Sequence, residues 1–243
     1  MKMLNLNSNS KIGLFIYLFI YIISPELAIT QNTKIDIREN LENALNERNF
    51  NLIKDNFKEK ESLIIKRKFM KIIKDFPDVK WQIKRSSKGN TNEKIFDIKV
   101  FGNQIINGET YVLESNFQYF YTTLNSKINN GHIKNLLTTI RNDQNKIDIV
   151  FRIPEKVLTG SNYDIDIILN QPLGDVIIAG GIKSYEYESY MPQEINIEPL
   201  VSGGIFKVTR APTKPGEQIW SGIIVHPKGI INFTKSVEIV EEF

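Results

Sequence analysis

The 243-residue sequence contains no cysteine, and this absence removes several kinds of chemistry at once. A chain without thiols cannot form a disulfide, hold an iron–sulfur cluster or a thiolate-bound zinc ion, or use a thiol as a nucleophile. It also cannot carry the anchor of a bacterial lipoprotein, because that lipid is attached to a cysteine. Histidine is scarce too, with two residues, which argues against a histidine-based metal site. We predict no metal and no cofactor.

The chain also lacks a strong excess of charge of either sign. The 31 basic and 28 acidic residues give a formal net charge of +3, which offers no support for a nucleic-acid partner. The apolar fraction of 41% is ordinary for a globular protein, and the length suits two modest domains.

The first thirty residues have the order of a secretory signal. Lys2 and Lys11 precede an unbroken apolar run, Ile12–Ile23, which stops at Ser24-Pro25-Glu26. A helix over this run spans about 18 Å at roughly 1.5 Å per residue, which is short of the roughly 30 Å hydrocarbon core. We therefore predict export to the periplasm or a comparable extracytoplasmic compartment, with residues 1–30 as the signal. The alternative is an uncleaved membrane anchor through residues 12–23.

Two helical patterns follow. Apolar residues recur at helical spacing over Ile35–Phe57, which predicts a helix with Asn49 as the place where it could break. A second helix is predicted over Ile65–Phe76, and it ends there because proline at position 77 disfavours helical backbone in the residue before it.

After Pro77 the pattern changes to alternation interrupted by tight turns. Asn107-Gly108 and Asn130-Gly131 favour the positive φ angles of a type I′ hairpin turn. Four sequential antiparallel strands are predicted: Val79–Ser87, Lys94–Ile106, Glu109–Ile128 and His132–Ile140. In the third, alternation places Tyr111, Phe117, Tyr119 and Tyr121 on one face, where we expect them to cover the helices.

This order of elements, together with the stretch ETYVLESNFQYFYTTLNSKINNGHIKNL, resembles the NTF2-like (cystatin-like) α+β superfamily. The resemblance implies that residues 34–142 form N-terminal helices packed on a curved antiparallel meander sheet. It also implies a cone whose candidate lining is Tyr111, Phe117, Tyr119 and Tyr121. Its bearing on activity is small, since members include isomerases, dehydratases and non-catalytic assembly domains.

Residues 146–243 consist of short apolar or alternating runs separated by proline and glycine, which predicts an all-β sandwich. The runs are Ile147–Ile153, Tyr163–Leu169, Val176–Ile182, Lys183–Glu188, Ile195–Leu200, Ile205–Arg210, Gln218–His226 and Ile230–Val240. The approach to Trp220 through Pro215-Gly216, and the turn at Lys228-Gly229, resemble the last hairpin of an immunoglobulin-like domain. The combination with an export signal is similar to exported bacterial proteins of unknown function.

A tyrosine-rich segment is the candidate binding site. Tyr185, Tyr187 and Tyr190, followed by Met191, would give contact area at low entropy cost if exposed, whereas two of the rings could instead cover the core. Asp164 and Asp166 alternate with isoleucines and are interpreted as the solvent-facing side of a strand.

The sequence favours a non-catalytic binding or assembly protein of the cell envelope. Its partner would be a protein or a small apolar ligand, and a dimer is possible. An isomerase-like or hydrolase-like enzyme in the cone is the alternative, and it would need Asp97, Glu114 or His132 to point inward. A purely structural tether is the third hypothesis. We predict no catalytic residue.

Overall fold

The structure is a computed structural model, and it describes residues 36–57, 69–70, 72–88, 93–124, 127–143, 147–170, 176–186, 194–201 and 203–242. The predicted signal or anchor, residues 1–30, lies outside the described residues. Among the helices that the structure does describe, none combines the length and the apolar composition needed to cross a membrane.

The protein is predominantly β: of the residues that the structure describes, 61% lie in strands and 13% in helices. The helices are α1 Ile37–Asn46 and α2 Phe50–Asn56, and residues 69–70 and 72–75 are also helical. The strands are β1 Lys80–Arg85, β2 Lys94–Ile106, β3 Glu109–Leu124, β4 Lys127–Asp143, β5 Ile149–Arg152, β6 Lys156–Leu158, β7 Asn162–Leu169, β8 Ala179–Glu186, β9 Glu198–Pro199, β10 Gly204–Arg210, β11 Gly216–His226 and β12 Gly229–Val240.

Helix α1 begins at a capped N-terminus and ends where the sequence allowed a break. The Asp36 carboxylate accepts a hydrogen bond from the backbone N–H of Arg38 at 3.0 Å, which satisfies one of the first free donors of the helix. After α1, Arg48 adopts a φ of 60°, and α2 starts at Phe50. The predicted break near Asn49 is therefore confirmed.

Polar side chains of α1 bind the outer edge of β1. Asn46 donates to the carbonyl of Trp81 and accepts from its N–H, both at 2.9 Å, and the Glu42 carboxylate accepts from the N–H of Ile83 at 2.7 Å. Glu42 and Asn46 are four residues apart and so share one face of the helix. Because β1 is the first strand of its sheet, these side chains satisfy backbone groups that would otherwise be open to another strand.

The twelve strands form two sheets. The large sheet has nine strands in the order β1-β2-β3-β4-β12-β11-β8-β9, with β6 pairing in parallel to β12, and the small sheet has the order β10-β7-β5. The path from β1 to β9 carries antiparallel pairs at both ends and at the centre, where β12 pairs with β4 from Gly229 opposite Asp143 to Lys235 opposite Leu137.

The predicted α+β class and the NTF2-like resemblance are wrong. The helices are short, and α1 hydrogen-bonds to a sheet edge instead of forming the helical layer that an NTF2-like cone requires. The predicted four-stranded meander does not stand alone, because β4 continues into pairing with β12. The immunoglobulin-like assignment fails for the same reason, since β12 belongs to the nine-stranded sheet that begins at β1.

One of the two predicted hairpin turns is also wrong. Asn107 and Gly108 have φ angles of 52° and 83°, as a type I′ turn requires, and they join β2 to β3. Asn130-Gly131, in contrast, lies within the continuous strand β4. Asn-Gly is a preference and not a requirement, and here the pairing of a 17-residue strand overrides it.

The chain forms two compact units. One comprises Asn107–Tyr111 and Leu137–Phe243, and the other comprises the described residues up to Ile106 together with Val112–Leu136. The boundary falls inside β3 and β4, so neither unit is a continuous segment of the described chain.

The core of the first unit lies between the two sheets. Strand β7 of the small sheet buries Ile165 and Ile167, and β11 and β12 of the large sheet bury Trp220, Phe233 and other residues of the same cluster. A Cβ atom at position 222 would lie 2.2 Å from the Phe233 ring, directly opposite in register, so glycine at this position makes room for that ring.

A buried chain of hydrogen bonds joins the two sheets in this unit. The Trp220 indole donates to the Tyr163 hydroxyl at 2.8 Å, and that hydroxyl donates to Gln218 Oε1 at 2.6 Å. Burial raises the pKa of Tyr163 to about 12, although the Trp220 bond acts in the opposite direction, so the phenol keeps its donated proton at neutral pH. The Trp220 indole N–H, the Tyr163 hydroxyl and the Gln218 amide oxygen thereby each have a partner.

We predict that Asn46→Ala lowers the free energy of unfolding by about 1–3 kcal/mol, because it leaves the Trp81 backbone N–H and carbonyl without their partner. Chemical denaturation measures this. Asn43→Ala is the matched control, since Asn43 is exposed on the same helix and alanine is the better helix former there. Equal effects at the two positions would show that α1 does not protect the β1 edge.

Candidate functional site

The candidate site is the outward-facing side of β2, β3 and β4 in the second unit. In β2, Phe96, Ile98 and Val100 are buried, so the intervening Asp97 and Lys99 face outward. In β3 the odd-numbered residues from Tyr111 to Tyr121 are buried, and the even-numbered residues form the outer surface. Two long alternating strands therefore set polar side chains side by side.

Strand β4 contributes to this surface through a bulge. Ile133 and Leu136 are both buried, so the two-residue alternation takes a three-residue step between them. Asn135 lies in that step with a φ of 56°, which is the left-handed region that asparagine tolerates better than most residues. The combination indicates a β-bulge, which places Lys134 and Asn135 consecutively between two inward-facing residues.

Hydrogen bonds link one polar side chain from each of the three strands. Gln118 Nε2 donates to Asp97 Oδ1 at 2.9 Å, and Asn135 Nδ2 donates to Gln118 Oε1 at 2.7 Å. All three residues are partly exposed. The two amides are thus held in fixed orientations across the sheet before any partner arrives.

An aromatic and cationic group lies beside this polar row. The Phe120 and His132 rings stack with centroids 5.4 Å apart and an interplanar angle of 17°. Lys134 Nζ lies 5.1 Å from the centroid of the same phenyl ring, which is cation–π distance. Phe120 is two residues from Gln118, so the two groups are contiguous on the outer side of β3. We call the six residues Asp97, Gln118, Phe120, His132, Lys134 and Asn135 the outer-face cluster.

The acid and base candidates of the sequence analysis are open to solvent. His132 is exposed, and Asp97 is partly exposed and accepts from an amide, so neither points inward as an enzyme in a cone would need. Glu114, the third residue that an enzyme in a cone would need to point inward, is exposed as well. Within the described ranges, no group of three or more histidine and acidic side chains is placed to hold a metal ion.

Residues 144–240 are similar to a domain of unknown function, DUF8623. No curated protein matches the chain significantly. The matched segment covers β5 to β12 and begins after β4, so it does not include any residue of the outer-face cluster.

The predicted tyrosine patch is only partly within the described residues. Tyr185 is buried, with 4% of its surface exposed, and it lies opposite Ile219 in the β8–β11 register. Tyr187, Tyr190 and Met191 lie outside the described residues. For Tyr185, therefore, the structure shows a core position.

The residues proposed to line a cone lie in the core of the sheet. Tyr111, Phe117, Tyr119 and Tyr121 are all buried. Tyr121 packs with its ring centroid 4.6 Å from that of Phe96 and 5.8 Å from that of Tyr119. Burial raises the pKa of Tyr121 to about 12, which fits a phenol enclosed by other rings.

Sequence reasoning missed most of the outer-face cluster. Phe120 interrupts the run of polar residues Glu114, Asn116, Gln118 and Thr122 on one side of β3, and that interruption was the available signal. Asn135 gave no such signal, because asparagine is frequent throughout the chain. The bulge also shifts the two-residue alternation from which its side of the strand would have been predicted.

Sequence reasoning also missed the burial of Lys235, which occupies a core-facing position between Phe233 and Val237. Burial lowers the pKa of its amine, with Glu155 and Glu217 acting in the opposite direction.

We predict that Asn135→Gly destabilises the protein less than Asn135→Ala, by about 1 kcal/mol, because glycine adopts positive φ without steric cost. Both variants lose the bond to Gln118, so their difference in denaturation isolates the backbone. At Asn116, which is exposed in β3, the order should reverse because glycine weakens a regular strand. The same order at both positions would rule out the bulge.

Proposed function

We propose that this chain is an exported, non-catalytic binding or assembly protein of the cell envelope, and that its outer-face cluster contacts a protein partner. Export is supported by the basic, apolar, polar order of Lys2, Lys11, Ile12–Ile23 and Ser24-Pro25-Glu26. Binding is supported by the hydrogen-bonded row of Asp97, Gln118 and Asn135.

The hydrogen-bonded row carries the proposal because it is already ordered in the free chain. Holding long polar side chains in one geometry costs conformational entropy, and a partner that meets an ordered row does not incur that cost again. A glutamine bonded on both sides presents its remaining donor and acceptor capacity in a defined direction.

The neighbouring Phe120, His132 and Lys134 favour a protein as the partner. An aromatic ring stacked on an imidazole and flanked by an ammonium group offers apolar area and positive charge together. Aromatic anchors surrounded by polar groups are typical of the energetically important parts of protein interfaces. Asp97 adds an acceptor for a partner's cation or amide.

We expect Gln118→Ala and Phe120→Ala to abolish or strongly reduce recovery of the partner. The first removes the central amide of the row, and the second removes the ring on which His132 stacks. The measurement is chemical cross-linking in intact cells, followed by affinity recovery and mass spectrometry of each variant against the unaltered chain.

Lys214→Ala is the control for this experiment, because Lys214 is exposed and belongs to the other unit. Partners lost with both outer-face variants and retained with the control are assigned to this surface. If every partner persists in Gln118→Ala and Phe120→Ala, the outer-face cluster is not the binding surface.

Export is tested separately by mass spectrometry of the N-terminus of the natural protein. A mature chain beginning near Gln31 is the expected result, because the polar segment that starts at Ser24 follows the apolar run at the distance typical of signal cleavage. A chain that retains Ile12–Ile23 would support the tether alternative. Cell fractionation that finds the intact chain in the cytoplasm would contradict export in either form.

A further inference from the structure

Strand β10 exposes large apolar side chains on the edge of the small sheet. Phe206 is 52% exposed and Val208 is 72% exposed. Ile205 is buried in the core, and Lys207 Nζ lies 5.8 Å from the centroid of the buried Trp220 ring, so the inward side of the strand is already engaged. Phe206 and Val208 lie on the opposite side, where an edge strand with apolar side chains can pair with another chain.

Among the described strands that end the two sheets, β10 is the long one whose edge is not covered. The β1 edge receives hydrogen bonds from Glu42 and Asn46. Strand β9 has two residues, one of them a proline, and β5 has four residues. Strand β10 has seven residues with no internal proline, and within the described residues it pairs only with β7.

Charged residues on the outer side of the small sheet are distributed asymmetrically, with acidic residues on β7 and a basic residue at the end of β10. Asp166 lies opposite Phe206 and Asp164 lies opposite Val208 in the β7–β10 register. Arg210 follows at the end of β10, opposite the uncharged Asn162. An acidic strand therefore runs beside an apolar strand that ends in a cation.

We propose that β10 pairs antiparallel with β10 of a second copy of this chain, about a two-fold axis at Val208. This register places Val208 opposite Val208 and Phe206 opposite the partner copy's Arg210, which is a cation–π arrangement. Asp166 lies on the other side of Phe206, two strand positions of about 4.8 Å each from the strand that carries this guanidinium, and an extended arginine side chain lying across the phenyl ring can reach it. Arg210 Nε already donates to the carbonyl of Gly160 at 2.8 Å, and that bond uses one of five N–H groups.

Two other two-fold registers, centred on Lys207 and on Phe206, are less favourable. An axis at Lys207 would set that ammonium opposite its own copy, and like charges directly opposite are destabilising. An axis at Phe206 would set Val208 opposite Gly204 and leave Arg210 beyond the paired segment. Of these three registers, the one centred on Val208 joins the apolar and charged features, and it converts two three-stranded sheets into one of six strands.

The absence of cysteine makes the register directly measurable. In Val208→Cys the new thiols would face each other at the Cβ separation of about 4.5–5.5 Å expected for opposed residues, within or close to the range of a disulfide. On mild oxidation of the purified full chain, we expect most of it to migrate as a covalent dimer on non-reducing electrophoresis. A mixture of Phe206→Cys and Arg210→Cys chains should form the mixed dimer, and neither should link efficiently to itself.

Val201→Cys is the matched control, because Val201 is 90% exposed and lies outside β10. If Val208→Cys links no faster than Val201→Cys, the proposal is overturned. Efficient self-linking of Phe206→Cys or of a Lys207→Cys variant would overturn this register and the pairing built on it.

Sedimentation of chains without cysteine gives an independent readout. The unaltered chain should show a concentration-dependent dimer, and Val208→Asp should weaken it at least tenfold, since it places two carboxylates opposite each other beside Asp164. Arg210→Asp should also weaken the dimer, and the exchanged pair Asp166→Arg with Arg210→Asp should restore it. Failure of the exchanged pair to restore dimerisation, with each variant folded by circular dichroism, would refute the ion pair and with it the proposed register.

Discussion

Strand β12 is hydrogen-bonded on both sides, to β11 from Gly229 to Ile239 and to β4 from Gly229 to Lys235. Backbone N–H and C=O groups that are buried must find partners, and this strand is buried over most of its length. Its inward side chains contribute Phe233 to the core shared with the small sheet. The last strand of the chain is therefore central to the large sheet, and the strand order on both sides depends on its two ladders.

The β1 edge of the large sheet is covered by side chains of a helix, whereas the β10 edge of the small sheet is exposed. At β1, a carboxylate and an amide of helix α1 form hydrogen bonds with backbone groups of the strand. Both side chains are fixed in place at helical spacing. At β10 the chain leaves apolar residues facing solvent beside acidic ones. Proteins commonly suppress edge pairing, and the exposed apolar edge of β10 is therefore the observation behind the proposed pairing with a second copy.

The outer-face cluster and the β10 edge are different kinds of surface. The cluster consists of side chains held by hydrogen bonds and ring stacking, so its recognition depends on side-chain chemistry. The β10 edge offers a backbone ladder, and specificity there must come from the residues that alternate along it. We propose a heterologous protein for the first surface and a copy of the same chain for the second, and each surface lies within one unit.

The sequence by itself determined the local features. Helical spacing and a poor helical residue placed the break between α1 and α2 near Asn49, Asn107-Gly108 placed a type I′ turn, and the bounds of β2 matched the alternating run Lys94–Ile106. Burial of Ile165 and Ile167 likewise followed from their alternation with aspartates. These features depend on neighbouring residues along the chain, and the side-chain pattern specifies them directly.

Only the tertiary structure decided which strands pair. Backbone hydrogen bonds are chemically the same between any two strands. The first half of the sequence therefore contains no signal that β4 pairs with a strand about ninety residues later. The NTF2-like and immunoglobulin-like assignments failed because of this pairing. The outer-face cluster was hidden for a related reason, since the bulge at Asn135 shifts the alternation and its hydrogen bond to Gln118 comes from another strand. Contacts between distant segments are set by packing of the whole chain, which local periodicity does not encode.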